Sequence, residues 1–442
     1  MKISALDESG NPVDWWFAYK VPQLVHDAKT LNATGYEYLY YDPNVGKVSR
    51  SPNLLTDKKG AIDLTLQAVF EKPDDTTGWI LYNDEMPKFA DRKDSAAFGH
   101  TKGVIAFDTD TKTAIWLLHS WPKFADPQAT KMPTPQYGQT YLCISLDLET
   151  ANQIATQMCN HQEPQVYVPR IPASLDRTAG LYLLTQTLNP NTTGDADVID
   201  CKSRGGLAFK VIAKNRKWDK DFWNDWVGPT LGENMRTETW IRGKIPAILD
   251  SDGVHKTFDV SFIDFRQLGF PWAWPETHDH AKWGITDKSN WVCVGDINRM
   301  ISQEKRGGGT IAFQDPTLWA ALSKTDLTIY PPGYKQYADV KSLRDAAKTT
   351  THETLADAVA RKVKPKTQPK SGKKPAPRKP KKTAASKPGK KTSAKGATKK
   401  QNSAAKKKGA AKKKGAAKKK GPAKKKGAAK KSAAKKKSAA KK

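Results

Sequence analysis

Two short elements of one kind stand about half a chain apart: His100-Thr101-Lys102 in the stretch Gly99–Asp108, and His280-Ala281-Lys282 in the stretch Asp279–Asp287. On an extended segment residues i and i+2 face the same side, so each histidine projects together with its lysine. That pairing suits phosphate. An imidazole acts as nucleophile or general acid near neutral pH, while a nearby ammonium stabilises phosphoryl oxygens and favours the neutral imidazole. A single His-x-Lys arises easily by chance. Here, with only eight histidines in the chain, both copies open an apolar strand followed by a polar turn and a second apolar strand. The shared context predicts one active site built from both. His119 and Asn298, 17 residues after Lys102 and 16 after Lys282, are expected at matching places where the second strands end, able to bond phosphate or orient a histidine.

The elements that must hold these residues are legible in part. Val104–Asp108 and Ala114–Leu118 read as a hairpin of core strands, Tyr141–Leu146 as a third strand, and Glu149–Cys159 as a helix. The proline-rich stretch 164–172 is the expected boundary between halves. Beyond it, Gly206–Ala213, Thr237–Ile241, Lys282–Thr286, Trp291–Ile297 and Gly309–Phe313 read as strands, with helices over Trp218–Val227 and Pro316–Leu322. Residues 1–98 alternate short strands with polar turns, and their pairing is not evident. Strands alternating with helices predict an α/β fold of two mixed-sheet halves. The expected divisions are 1–165, 166–345 and a tail over 346–442.

Charge divides the chain more sharply. Of its 75 Lys and Arg, 36 lie beyond residue 360, where there is no Asp or Glu, leaving 39 basic against 45 acidic residues in the rest. All 14 Trp precede the tail, so the body can build a core and the tail cannot. From Ala404 the tail repeats Ala-Ala-Lys-Lys-Lys-Gly, too short a period for a solenoid and consistent with a disordered polycation. Met1–Lys20 lacks the apolar stretch of a signal peptide, and no apolar run reaches the roughly 20 residues that span a bilayer. A cytoplasmic or nucleoid-associated location is expected, or a secreted or lysosomal one if a signal peptide has been removed. Cys143, Cys159, Cys201 and Cys293 show no CxxC spacing; Cys143 and Cys293 read as reduced core residues, with disulfides otherwise undecided.

The stretches GHTKGVIAFD (99–108), WLLHSWPKF (116–124), YGQTYLC (137–143), HAKW (280–283), VCVGDINR (292–299) and RGGGT (306–310), in that order, resemble the deoxyribonuclease II family. The resemblance runs over most of residues 1–330. Through its paired His-x-Lys elements that family belongs to the phospholipase D superfamily, which implies a pseudo-twofold pair of halves flanked by helices. The second copy also resembles the longer superfamily signature, with Asp287 five residues after Lys282 and Gly295-Asp296-Ile297-Asn298 near the expected Gly-Ser-x-Asn. The first copy departs from it: Asp108 is six residues after Lys102, and His119-Ser120 stands in the other place, so neither Asp takes a catalytic role.

The resemblance implies hydrolysis of double-stranded DNA without a metal or other cofactor, best in acid, leaving 3′-phosphate and 5′-hydroxyl ends through a phosphohistidine. His100, Lys102, His280 and Lys282 would be catalytic, with His100 favoured as nucleophile and Asn298 beside the lysines on the phosphate oxygens. Lys214, in a basic cluster, and Arg306-Gly307-Gly308-Gly309 are softer phosphate contacts. His278-Asp279-His280 is too compact to converge on a metal. The tail resembles linker-histone tails in composition and would tether the acidic body to DNA by phosphate neutralisation; it lacks the apolar face of a membrane-surface helix. Two alternatives remain: a DNA-compacting protein without activity, and a related phosphodiesterase acting on lipid. A complete site within one chain makes dimerisation unnecessary.

Overall fold

The computed structural model describes residues 2–24, 33–87, 89–90, 97–125, 132–186, 194–241, 254–325 and 328–329. The tail read as disordered over 346–442 lies outside them. All the described residues belong to one compact unit.

Strands β1 (Ala5–Leu6) and β2 (Pro12–Val13) make a small hairpin. The first large sheet holds β3 (Trp15–Lys20), β4 (Tyr38–Tyr41), β5 (Ser49–Arg50), β6 (Thr77–Asn83), β7 (Lys102–Asp108), β8 (Thr113–His119), β9 (Gln139–Asp147) and β10 (Val166–Arg170). Its spatial order is β10-β6-β7-β8-β9-β3-β4-β5. The second holds β11 (Ala196–Lys202), β12 (Ala208–Lys214), β13 (Met235–Glu238), β14 (Thr257–Asp264), β15 (Ala273–Pro275), β16 (Trp283–Thr286), β17 (Trp291–Gly295) and β18 (Gly308–Gln314), ordered β11-β12-β18-β17-β16-β13-β14-β15, with β19 (Thr328–Ile329) on β14.

Counted outward from the His-x-Lys strands, the two orders coincide. On one side of β7 lie β8, β9, β3 and β4; on the same side of β16 lie β17, β18, β12 and β11. On the other side β6 and β10 correspond to β13 and β14. This is the pseudo-twofold α/β pair the motifs predict, with one difference. Every neighbouring pair in the first sheet is antiparallel, and the mixed character is confined to the parallel pair β13–β14.

The central strands are buried on both faces, which is why they read as continuous apolar runs rather than as alternation. Ile105 and Phe107 of β7, Trp116 and Leu118 of β8, and Trp15, Phe17 and Tyr19 of β3 point into a core shared with Trp283 and Ile285 of β16 and Ile311 and Phe313 of β18. Trp15 meets Phe313 edge to face at 4.9 Å between ring centres. The intervening residues, such as Val104, Ala106 and Leu117, face a second core capped by helix α1 (Ala61–Phe70) through Ala61, Ile62, Leu66 and Val69.

Helices are few. The residue range 149–159 begins as expected, as α2 (Leu148–Gln157), capped by Asp147, whose carboxylate accepts from the Thr150 N–H at 2.6 Å. It then widens into a π turn over Met158–Gln162. The longer helix expected over 218–227 forms only from Trp223 onward. Asp219 sits at φ 54°, and Asp221 Oδ1 takes the N–H groups of Trp223 and Asn224, so the turn starts there. The proline-rich stretch 164–172 carries β10, which joins the first sheet. Cys143 and Cys293 are buried free thiols pushed up by burial. No described helix is long and apolar enough to cross a membrane.

Candidate active site

The sheets meet so that His100 and His280 face one another, their rings edge to face with centres 6.5 Å apart. Each histidine is gripped by the opposite half. The His100 N–H donates to Gly307 O at 2.8 Å, and its Nδ1 lies 2.6 Å from Asp296 O. The His280 N–H donates to Gly138 O at 2.9 Å, and its Nδ1 lies 3.1 Å from Ser120 O. A carbonyl only accepts, so both Nδ1 atoms carry a proton, which in the neutral imidazole leaves the lone pair on Nε2.

These four carbonyls are pairwise equivalent. Gly103 pairs with Leu118 and Trp283 with Val294, which sets Ser120 opposite Asp296 in the correspondence of halves. The same register corrects the expected match of His119 with Asn298: His119 corresponds to Gly295, and Asn298 lies three residues further on. The glycine turns are fixed by two buried lysines in equivalent places. Lys20, last in β3, donates to Val21, Pro135 and Tyr137 carbonyls at 3.1, 3.0 and 2.6 Å. Lys214, last in β12, donates to Gln303, Glu304 and Arg306 carbonyls at 3.1, 2.7 and 2.5 Å. Burial pushes the ammonium of Lys20 down to about 7 and that of Lys214 to about 8. Lys214 thus staples the turn that carries Gly307.

The lysines of the two His-x-Lys elements come close to the same histidines. Lys102 Nζ pairs with Asp84, whose other oxygen takes Arg306 Nη1 at 3.0 Å and stands 3.8 Å from His100 Nε2. Lys282 Nζ donates to His280 O. Asp279 anchors the second element, accepting from Tyr19 Oη at 2.7 Å, Trp274 Nε1 at 2.6 Å and Ala281 N–H at 2.6 Å. A pair of facing histidines flanked by Lys102, Lys282 and Arg306 can hold a phosphate between a nucleophile and an acid.

Residues 4–331 match the family model for Deoxyribonuclease II. The chain belongs to the deoxyribonuclease II family. A protein of Burkholderia thailandensis named putative deoxyribonuclease-2 is 66% identical over 333 residues, 75% of this chain and 95% of its own length. Deoxyribonuclease-2-alpha of Rattus norvegicus is 33% identical over 334 residues, covering 72% and 92%. Deoxyribonuclease-2 of Caenorhabditis elegans is 33% identical over 359 residues, covering 73% and 92%. Membership makes the chain a hydrolase of the nuclease class. The family match stops before the polybasic tail.

In this nuclease burial dominates the titration of both histidines and lowers them well below the ordinary imidazole range. Lys102 and Arg306 add to this at His100, and Lys282 and Lys102 at His280. Burial also lowers Lys282, with Lys102 beside it. Asp84 goes the other way. Burial opposes its ionisation, yet Lys102, His100 and Arg306 hold its carboxyl well below the usual carboxylate range.

Asp84 carries no motif in the sequence. It follows β6, whose pairing was not evident, and only the fold brings it to Lys102. Arg306, expected to offer a DNA contact, donates to Asp84 and to the Phe98 and Gly99 carbonyls, and the Gly307 it precedes supplies an acceptor rather than an N–H. Asn298 Oδ1 accepts from Trp240 N–H at 3.2 Å. His119 is buried among Phe124, Tyr141 and Trp121, and burial with the Lys102 charge holds it down to about 3.

A histidine near 3 when folded and about 6.5 when unfolded binds its proton only in the unfolded chain between those values, so its share of stability falls as pH falls through that window. The drop in melting temperature from about pH 7 to about pH 4 is expected to shrink in His119→Leu; an undiminished drop would contradict this environment.

Proposed function

We propose that the nuclease hydrolyses double-stranded DNA without a metal, through a phosphohistidine, at the facing pair His100 and His280. The observation that carries this reading is that the two buried rings face each other with centres 6.5 Å apart, with the Lys102 and Lys282 charges acting on both.

His100 Nε2 attacks phosphorus, and the P–O bond to the 5′ oxygen breaks as His280, protonated at Nε2, gives that oxygen its proton. The 5′-hydroxyl end departs. His280 then takes a proton from water, whose oxygen displaces His100 and leaves a 3′-phosphate. Lys102, Lys282 and Arg306 supply the positive charge for the non-bridging oxygens. His119 and Asn298 act from behind, Asn298 by holding Trp240, and Lys214 by fixing Gly307.

The acid optimum follows from the same electrostatics. Burial, with Lys102 and Lys282 acting on both histidines and Arg306 on His100, favours their neutral forms, whereas the acid role requires one of them to be charged. The incoming phosphodiester anion offsets the cations, and lower pH supplies the proton.

The tail completes the reading. Thirty-six basic residues without an acidic one bind duplex phosphates through counterion release and hold the acidic body on its substrate.

Plasmid incubated with EDTA at about pH 5 is expected to be cleaved, and His100→Ala or His280→Ala to lose roughly 10²–10⁴-fold of the rate. Cleavage that requires an added divalent metal, or an undiminished alanine variant, would overturn the mechanism. Removing residues 346–442 is expected to preserve cleavage of short duplexes while weakening DNA binding and flattening its dependence on salt. Unchanged binding would rule out the tether.

A further inference from the structure

The correspondence between the halves breaks beside the histidines. Gly103 pairs with Tyr82 and Trp283 with Glu238, so the residues two positions further, Asp84 and Trp240, are equivalent. Gln139 pairs with Lys20 and Gly308 with Lys214, so the residues two positions earlier, Tyr137 and Arg306, are equivalent. Equivalent residues make equivalent contacts with opposite chemistry. Beside His100, Arg306 donates to Asp84 at 3.0 Å. Beside His280, Tyr137 packs on Trp240 with ring centres 4.6 Å apart. Trp240 meets the His280 ring at 4.7 Å and 87°, and both aromatic side chains are partly exposed.

A phosphodiester has a direction and a twofold axis does not. Two facing histidines with identical surroundings would accept a strand in either sense, and each histidine would meet the 5′ oxygen in half of the encounters. A fixed assignment of nucleophile and acid therefore requires unlike groups on the two sides of the phosphate. The ion pair and the ring pair are such groups, at equivalent positions of the two halves.

We propose that Tyr137 and Trp240 form a subsite for the nucleobase that flanks the scissile phosphate on the His280 side, and that this subsite fixes strand direction. An aromatic face takes any base by stacking, which suits recognition of direction without sequence. The Asp84–Arg306 pair on the His100 side offers charge in place of a stacking surface. The subsite rests on the phosphodiester-hydrolysing reading of the histidine pair.

The test uses the full chain and a short single-stranded oligonucleotide with one natural phosphodiester among methylphosphonates, in three forms: intact, abasic on the 5′ side of that phosphate, and abasic on its 3′ side. One abasic form is expected to raise KM about tenfold and the other to change it little, within the range of single-base stacking on aromatic side chains. Trp240→Leu and Tyr137→Leu are expected to raise KM for the intact form and to erase the difference between the two abasic forms. Trp240→Phe, which keeps a ring, retains that difference. Equal penalties at both positions in the unaltered protein, or a penalty that survives Trp240→Leu while kcat alone falls, would overturn the subsite and leave Trp240 as a support for His280. If the single strand is not cleaved, plasmid cleavage decides the hydrolytic reading separately, and the same three oligonucleotides decide the subsite through their dissociation constants.

Discussion

Each half of the chain holds the other half's histidine, and the site depends on that exchange. The Asp296 carbonyl fixes the His100 ring and the Gly307 carbonyl fixes its backbone; the Ser120 and Gly138 carbonyls do the same for His280. Neither sheet alone can set a histidine in place. The core between the sheets, where Phe107, Trp116, Trp283 and Phe313 pack together, therefore serves the chemistry directly, because separating the sheets would release both rings. Lys20 and Lys214 extend the arrangement outward by tying each clasping turn to the end of its own sheet.

Placing two neutral imidazoles among Lys102, Lys282 and Arg306 concentrates positive charge that nearby carboxylates, Asp84 among them, partly offset. Asp84 engages Lys102 and Arg306 and lies near His100, and it stays ionised despite burial because those charges surround it. The arrangement has room for one more negative charge, which a phosphodiester supplies. The ground state is thereby built around an anion that arrives with the substrate, and preorganised charge of this kind costs no rearrangement when the reaction begins.

Much of this was legible in the residues. The two His-x-Lys elements and the apolar strands that follow them carry the twofold and bring the two histidines together, whereas the tail read from the change of composition lies outside the described residues. What the sequence hid depended on register. His119 and Asn298 look equivalent by counting from the lysines, yet hydrogen-bonded pairing aligns His119 with Gly295. Asp84 follows a strand whose pairing no local pattern reveals, and Tyr137 and Trp240 are unmarked aromatic residues until the sheets bring them together. Lys214 looked like a phosphate contact because its neighbours are basic; its own ammonium points inward to three carbonyls. Local pattern specifies strands and pairs of motifs, whereas partners across the interface follow only from how two sheets meet.

The claim on which the account stands is that the imidazoles of His100 and His280 are both neutral, with the proton on Nδ1 and the lone pair on Nε2. Nitrogen NMR of the protein labelled at histidine, with His100→Gln and His280→Gln used for assignment, measures that state directly. At neutral pH without DNA the account predicts, for both residues, a protonated Nδ1 and an unprotonated Nε2 shift. An imidazolium at both positions, or the proton on Nε2 at either, would contradict it.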